Sequence, residues 1–318
     1  MSDSSPIRIG ISSCLLGEEV RFDGGHKKDS FIAEMLARFV EFIPVCPEVD
    51  IGLGIPREAI RLVRRSDGVR LVAPRSGADH TEAMRKYAHR KLGELEALDL
   101  SGYILKKDSP SCGMERVRVY GPDGPATKSG VGLFAEALIS RWPLLPAEEE
   151  GRLNDPALRE NFIERVFAYR RLRDFFASRW KVGDLVRFHT AHKLQVLAHD
   201  PASFQILGRL VAGASKTPPR ELAARYQERF MSALKRIATA RRQTNVLQHM
   251  MGYFKKTLDA RDRKELAGVI EDYYRGLVPL VVPVTLIRHH VARQAVEYLE
   301  GQIYLQPHPK ELMLRNHV

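Results

Sequence analysis

Short apolar runs alternate with longer amphipathic stretches through the first half of the chain. Ile7 to Ile11, Phe42 to Val45 and Gly102 to Leu105 have the length and composition of buried strands. The stretches with helical periodicity between and after them are Ser30 to Phe42, Thr81 to Leu98 and Val131 to Trp142. Strands that alternate with helices indicate an α/β domain with a mostly parallel sheet.

Beyond residue 156 the pattern is that of nearly continuous helix. The segment PLLPAEEEGRLNDP, residues 143–156, mixes prolines, acids and turn formers. We therefore predict an N-terminal α/β domain over residues 1–145, a linker over 146–156 and an all-α domain over 157–318. The predicted helices of that domain are Ala157 to Trp180, Asp184 to Leu197, Ala202 to Val211, Pro219 to Arg242, Thr244 to Leu258 and Ala260 to Tyr274.

Positive charge is confined to the predicted helical domain. Residues 1–150 carry 21 Lys and Arg against 23 Asp and Glu, a balance of −2, whereas the remaining residues carry 29 against 16, a balance of +13. A basic surface on one domain is typical of a protein that binds a polyanion. A solvated basic face with no partner has the same composition, so charge alone leaves both interpretations open.

The chain has three cysteines, and each follows a predicted strand. Cys14 lies in ISSCLLG, Cys46 in VCPE and Cys112 in DSPSCG. Because the carboxyl ends of parallel strands meet at one edge of a sheet, the three thiols can converge on a single site. Three scattered cysteines also argue against a disulfide framework and fit a reducing compartment.

Three interpretations of these cysteines stay open at this point. Three thiolates and no fourth cysteine would leave one iron of a 4Fe-4S cluster without a protein ligand. A structural zinc site could add His26 to the three thiols, which would suit a nucleic-acid-binding protein. Isolated cysteines are also commonly buried packing residues. However, Gly, Pro and Ser surround each cysteine here, which favours functional loops over core packing.

Four motifs in order, ISSCLLG, RFDGG, CPEVDIGLGIPR and KKDSPSCG, resemble the signature of the thiouracil desulfurase family. The resemblance covers residues 7 to about 140. It implies a 4Fe-4S cluster on Cys14, Cys46 and Cys112, with Glu48 and Ser109 at the family's catalytic positions. The dispersed cysteines disfavour a radical enzyme that cleaves S-adenosylmethionine, because such enzymes gather their cluster ligands in one short loop.

The implied chemistry replaces the sulfur of a C=S bond with oxygen from water. We expect Glu48 to act as the general base for the water and Ser109 to relay a proton or orient the substrate. Arg21, Asp23 and Gly24 also match the family pattern, either for loop structure or for substrate orientation. Lys106 and Lys107 are candidates for attracting an anionic substrate.

The second half resembles the helical domain that often follows this family domain, through FHTAHKLQVLAHD, NVLQHMMGYFKK and IYLQPHPKEL. The two-domain arrangement resembles bacterial desulfidases of 4-thiouridine in tRNA. We therefore expect tRNA and a thiolated pyrimidine as partners, and no DNA. The alternative is a desulfidase of free thiouracil or thiouridine whose helical domain serves oligomerisation. Isolated helical histidines are mostly structural, so no metal is assigned to His189, His192, His249, His289 or His290.

Targeting signals are not expected from the sequence. Met1 to Pro6 has no basic segment followed by an apolar one, which argues against a secretory signal. The longest apolar run, Leu277 to Ile287, contains Pro279 and Pro283 and is shorter than the roughly 20 residues of a membrane span. We expect a cytoplasmic protein.

Overall fold

The computed structural model describes residues 6–121 and 125–317, so most of the segment Met1 to Pro6 lies outside the described residues. The chain divides into two compact units, residues 1–154 and residues 155–318. The first unit is α/β with a parallel sheet and the second is helical. The predicted fold class is confirmed.

A parallel sheet forms the centre of the first unit. Each neighbouring pair of strands in it is parallel, and Ile9 in one central strand lies opposite Phe42 on one side and Gly102 on the other. The predicted strands are confirmed to within two residues at each end. In order across the sheet the strands are β2 (Glu41–Val45), β1 (Arg8–Ser12), β5 (Leu100–Leu105) and β8 (Ala147–Glu149).

Close packing within this sheet explains a glycine in its central strand. A Cβ on Gly10 would lie 2.3 Å from the ring of Tyr103 in β5. The ring of Tyr103 lies 6.0 Å from that of Phe134, which in turn lies 6.1 Å from Tyr87. Tyr87 belongs to helix α2 (Thr81–Glu96) and Phe134 to α3 (Leu133–Arg141), so both helices pack on the sheet through these rings.

A second sheet was not predicted. It has four strands, with antiparallel pairs at both edges and a parallel pair in the middle. Its strands carry many charges and no long apolar run, which explains why the pattern missed them. In order across the sheet the four strands are β4 (Gly68–Val72), β3 (Arg61–Arg65), β6 (Val117–Tyr120) and β7 (Thr127–Gly130).

Two further predictions in this unit need correction. The helix expected over Ser30 to Phe42 is a π-helical turn, Phe31–Met35, followed by a 3-10 turn, Leu36–Arg38, and its end belongs to β2. The segment 146–156, predicted as a linker, contains β8, which pairs with β5. The sequence pattern missed this strand because acidic residues are usually exposed and are typical of loops. In the structure Glu148 and Glu149 are instead buried and hydrogen-bonded.

The second unit is built of helices over its described residues. Asp155 caps the first of them by accepting hydrogen bonds from the backbone N–H groups of Ala157 and Leu158. The α-helices of the second unit are α4 (Pro156–Ala177), α5 (Val182–His199), α6 (Pro201–Ala212), α7 (Pro219–Leu234), α8 (Ala240–Met251), α9 (Ala260–Tyr274), α10 (Val281–Gln294) and α11 (Glu297–Glu300). The first unit contains, besides α2 and α3, the four-residue helix α1 (Pro47–Asp50).

The helix predictions for this unit hold apart from three stretches. The helix expected over Thr244 to Leu258 ends at Met251 and is followed by a 3-10 turn, Gly252–Phe254. The helix expected over Pro219 to Arg242 ends at Leu234, and a new helix begins at Ala240 after the cap residue Thr239. Helix α10 was not predicted because its run contains two prolines, but Pro283 lies in the first turn, where its missing N–H has no intrahelical partner to lose. No helix among the described residues is both long and apolar enough to cross a membrane.

Candidate functional site

The three cysteines follow three adjacent strands of the parallel sheet. Cys14 lies in the 3-10 turn Ser13–Leu16 after β1, Cys46 directly follows β2 and precedes α1, and Cys112 lies in the turn after β5. All three line one cavity of about 650 Å³, together with Glu48 and Ser109. The strand ends thus bring together residues that are 32 and 66 positions apart in the sequence.

The turn that carries Cys112 is held by Ser109. The hydroxyl oxygen of Ser109 accepts hydrogen bonds from the backbone N–H groups of Ser111 at 3.2 Å and Cys112 at 3.0 Å. Gly132, before α3, lies against this turn, since a Cβ there would be 2.5 Å from the backbone of Ser111. The position of the Cys112 thiol is therefore set both by its own turn and by the start of α3.

The three thiols are shielded from water, and this shielding decides their protonation. Burial raises the pKa of Cys14 to about 11, against the opposing effect of the Lys106 charge. Burial also raises the pKa of Cys46, whose thiol faces the carbonyl of Val20 at 3.8 Å. The pKa of Cys112 is raised well above its usual value by burial and by the charge of Glu48. Without a bound metal the thiols are neutral at physiological pH.

Glu48 is fixed at both of its carboxylate oxygens. Arg57 donates to Oε2 from Nε at 3.0 Å and from Nη2 at 2.7 Å, and the Ser111 hydroxyl donates to Oε1 at 3.0 Å. The side chains of Arg57 and Glu48 are only 4% and 15% exposed. Helix α1, which carries Glu48, is tied to α2 by a hydrogen bond from the Tyr87 hydroxyl to Asp50. The carboxylate is thus a preorganised group at the wall of the cavity.

Sequence reasoning missed Arg57 and Ser111, which are the direct partners of Glu48. Ser109 lies on the same cavity as Glu48, but the structure gives no hydrogen bond between them. Arg57 ends the motif CPEVDIGLGIPR, and Ser111 directly precedes Cys112. A charged residue and a hydroxyl inside the two cysteine motifs were therefore visible signals, but nothing in the sequence alone pairs them with Glu48.

The RFDGG motif forms a turn over the same cavity. Arg21 donates to Asp23 from two guanidinium nitrogens, and Asp23 accepts from the N–H of Gly25 at 3.1 Å. Gly24 has φ +78°, which a side chain would oppose. Asp23 and Gly24 thus shape the loop, whereas Arg21 and Phe22 line the cavity.

Positive side chains dominate the cavity lining. Lys106 is neutralised by Glu150, which also accepts a hydrogen bond from the backbone of Lys107, so Lys106 has a structural partner. The second sheet supplies one wall, through β3, β6 and β7. Against the acids Glu48 and Asp108, the basic residues that line the cavity are Arg21, Lys27, Arg57, Arg61, Lys106, Lys107, Arg118 and Lys128.

The zinc hypothesis has no supporting set of ligands in the described ranges, 6–121 and 125–317. These residues contain no group of three or more His, Cys, Asp or Glu side chains arranged to hold one metal ion. His26 does not line the cysteine cavity, and its Nδ1 accepts a hydrogen bond from the N–H of Lys28 in its own loop.

Two helical histidines expected to be structural are buried beside aromatic rings. His189 is hydrogen-bonded to the hydroxyl of Tyr226, and His192 stacks on Phe188 with ring centroids 4.0 Å apart. Burial lowers the pKa of His189 to about 4 and that of His192 to about 3, so both are neutral.

Two family models match separate parts of the chain. Residues 9–150 match the family model described as 2-thiouracil desulfurase, and residues 193–309 match one described as a protein of unknown function, DUF1722. The chain is 33% identical to the uncharacterized protein YbgA of Escherichia coli K12 over 49% of its own length and 94% of the relative.

This chain belongs to the 2-thiouracil desulfurase family. The uncharacterized protein YbbK of Bacillus subtilis 168 is 32% identical over 33% of this chain and 72% of its own. A solved structure, the [4Fe-4S]-dependent thiouracil desulfidase TudS, is 30% identical over 49% of this chain and 99% of that one, with a TM-score of 0.39. The matched range, residues 9–150, spans the three cysteines, Glu48 and Ser109.

We predict strong coupling between Arg57 and Glu48 in the stability of this desulfurase domain. Arg57→Met leaves a largely buried carboxylate without its counter-charge and should cost on the order of 3 kcal/mol of unfolding free energy. Adding Glu48→Gln should recover about half of that loss, because no unpaired charge remains. Urea unfolding of the single and double variants measures both effects.

The exposed pair Arg85 and Glu82 provides the control. Arg85→Met should cost less than about 1 kcal/mol, as is usual for a surface ion pair. Additive losses in Arg57→Met and Glu48→Gln would show that the two side chains do not act as a pair.

Proposed function

We propose that this protein removes sulfur from a thiolated uracil without net redox chemistry, and that its substrate is 4-thiouridine in tRNA. The observation that carries the proposal is the single cavity lined by Cys14, Cys46 and Cys112 together with Glu48 and Ser109. Family membership supports the desulfuration, since residues 9–150 match the 2-thiouracil desulfurase model.

The donor set fits a 4Fe-4S cluster. Such clusters are held by cysteine thiolates, normally four, and each thiolate binds a different iron. The ligands therefore need to line one cavity rather than surround one point, which is how the three cysteines are placed. The chain has no fourth cysteine. When bound there, a cluster with one iron free of a protein thiolate supplies a Lewis acid with affinity for sulfur.

The chain's own residues supply the water chemistry. Water contributes the oxygen of the new C=O bond, and the sulfur leaves with two protons as hydrogen sulfide, so no electrons are needed. Glu48 is the general base that takes a proton from the water, with Arg57 and Ser111 holding its carboxylate in place. The Ser109 hydroxyl oxygen is occupied by two backbone N–H groups, which leaves its proton to orient the pyrimidine.

Positive charge supports a substrate that carries phosphates. The cavity lining has eight basic residues against two acids, and the residues after Glu150 have a balance of +13. A free base without charge would gain little from either feature, whereas each phosphate of an RNA can meet Lys or Arg.

Exposed aromatic and basic side chains occur together in the helical unit. Tyr253 is 40% exposed and stacks on Tyr298 at 4.6 Å, while the Lys193 ammonium lies 4.7 Å from the Tyr298 ring. Such a surface suits stacking and phosphate contact. Phe254, the neighbour of Tyr253 in the sequence, is buried in the hydrophobic core, so it cannot stack on a base. Phe188 is packed within the aromatic cluster of α5.

The alternative is a desulfidase of free thiouracil or thiouridine in which the helical unit serves oligomerisation. The two proposals differ in what the positive charge of the helical unit does. It lowers the dissociation constant for tRNA in the first and has no effect on substrate affinity in the second.

We predict that Cys14→Ala, Cys46→Ala and Cys112→Ala each lose the cluster, because no spare cysteine can replace the missing thiolate. Iron content and visible absorbance of anaerobically loaded protein measure this, and desulfuration should disappear with the iron. Ser101→Ala, a similarly small change at a buried site in β5 outside the cavity, is the matched control and should load iron normally. A cysteine variant with full iron content and full turnover would identify that cysteine as a packing residue.

We predict that Glu48→Gln lowers turnover by about 10² or more while iron content stays unchanged, because it removes the base but keeps the shape. Ser109→Ala should also lower turnover. Rates with 4-thiouridine are compared after circular dichroism has shown that both variants are folded. Glu94→Gln, an exposed change on α2, is the control. Normal rates in both site variants would assign activation of the water to the metal alone.

We predict that tRNA affinity falls steeply with salt and that Lys255→Glu/Lys256→Glu weakens it. Each lost phosphate contact should reduce the slope of log K against log salt by about one. Filter binding between low and physiological salt measures the slope, with turnover of free 4-thiouridine unchanged. Lys86→Glu/Arg90→Glu on exposed α2 provides the same charge change outside the helical unit. If the two double variants bind tRNA equally, the helical unit has no specific role in RNA binding.

A further inference from the structure

The helical unit contains a cavity of its own, remote in sequence from the cysteine motifs. It has a volume of about 250 Å³ and lies beside α4, the end of α5, the start of α8 and the segment after α9. Its walls combine apolar side chains with buried polar ones, which is the composition of a ligand pocket. Its buried polar side chains include Glu160, Asn161, Glu164, His199 and Gln243.

Each of its two carboxylates accepts a hydrogen bond on Oε1 only. Glu164 Oε1 accepts from the Gln195 amide at 2.8 Å and lies 3.4 Å from His199 Nε2, while its Oε2 forms a longer ion pair with Arg315 at 4.0 Å. Glu160 Oε1 accepts from Arg315 Nε at 3.1 Å. Its Oε2 has His317 Nε2 at 3.7 Å, which is beyond hydrogen-bond distance, so this oxygen is an open acceptor.

Three other polar groups of the cavity also have unused capacity. His199 is 2% exposed, and its Nε2 makes no hydrogen bond. Asn161 uses its amide nitrogen on the backbone carbonyl of Leu234, which leaves its side-chain oxygen as an acceptor. Gln243 uses its oxygen on the Tyr304 hydroxyl, which leaves its amide nitrogen as a donor. Of these atoms, His199 Nε2 is both buried and without a hydrogen bond, and leaving such an atom unpaired is unfavourable, so a bound molecule that pairs it is favoured.

The charges around the cavity decide between a charged and a neutral ligand. The negative charges of Glu160 and Glu164 are offset by Arg315 and by His199, whose pKa is raised by Glu164 against the opposing effect of burial. Burial also raises the pKa of Glu160, against the opposing charge of Arg315, which reduces the negative charge further. A site with balanced charge offers little gain to a free cation or anion. It suits a neutral molecule with donors and acceptors on its edge.

The size of the cavity and the side chains on its surface further restrict the class of ligand that can bind. A cavity of about 250 Å³ limits the ligand to a small molecule, on the scale of a single ring system such as a nucleobase. Tyr274, 51% exposed, lies at the opening and offers an aromatic face. Carboxylate and amide oxygens are the acceptors that pair with the exocyclic amino group of a base.

We propose that this cavity binds one nucleobase that carries an exocyclic amino group, with Glu160 and Asn161 accepting from its edge and Gln243 donating to a ring acceptor. Uracil lacks the amino group, so it pairs fewer of these acceptors and should bind more weakly. The base can come from a free nucleoside or from an RNA strand, and the chemistry of recognition is the same. The proposal does not depend on the desulfuration proposed for the cysteine cavity.

Binding to the full-length chain tests the proposal. Saturation-transfer NMR with guanosine, adenosine, cytidine and uridine gives the affinity for free nucleosides. A single-stranded RNA that contains one 2-aminopurine reports by its fluorescence on a base taken up from a strand. We expect saturable binding of at least one amino-bearing nucleoside, about tenfold tighter than uridine. The RNA arm then shows whether a strand can also deliver the base.

Two matched variants control for folding. Ala240 and Ala260 are both exposed first residues of helices, preceded by the cap residues Thr239 and Asp259, but only Ala240 lines the cavity. Ala240→Trp should fill the opening and weaken binding at least about tenfold, whereas Ala260→Trp should leave it within about twofold. Glu160→Gln should weaken binding of the amino-bearing base while reducing its preference over uridine.

Absence of saturable binding to the wild-type chain would overturn the proposal. Equal binding by the Ala240→Trp and Ala260→Trp variants would overturn the location, and equal affinity for uridine would overturn the role of the amino group. Neither result would alter the outcome of the cysteine substitutions, which report on the other unit.

Discussion

The site depends on the parallel pairing of β1 with β2 on one side and β5 on the other. Parallel neighbours end at the same edge, so the turns that follow them lie close together whatever their separation along the chain. The packing of Gly10 against the ring of Tyr103 keeps β1 and β5 in close contact. A shift in either pairing would move one cysteine away from the other two.

Two electrostatic effects act in opposite directions on the three thiols of the cysteine cavity. Burial keeps the thiols protonated in the metal-free protein, while the many basic side chains around them favour negative charge. Three thiolates and a substrate with phosphates would both be stabilised by that surplus of positive charge. The Glu48 carboxylate retains its place in this field because Arg57 binds it through two nitrogens and Ser111 through a hydroxyl.

The helical unit separates its charges differently. Its surplus of positive charge is largely exposed, but its interior holds a network in which Glu160, Glu164 and Arg315 are buried together. Arg315 lies near the end of the chain and also donates to the carbonyl of Tyr304, so the network joins α4 to the final segment. Breaking one member of such a network leaves another charge buried and unpaired, which is strongly destabilising.

Sequence pattern and composition by themselves determined the fold class, the strands that carry the cysteines, most helices and the concentration of positive charge after residue 150. These features follow from local periodicity and residue counts, which need no knowledge of neighbours in space. The sequence pattern did not predict the charged second sheet or β8. Their strands pair with partners distant in the sequence and lack the apolar periodicity by which strands are recognised.

Only the tertiary structure decided that Arg57 and Ser111, rather than Ser109, contact Glu48, and that Phe254 is buried. It also assembled the cavity around Glu160, His199 and Gln243 from three separate helices. Contacts of this kind depend on side chains from distant segments meeting in space, and a linear sequence records the groups available for pairing but not which of them meet.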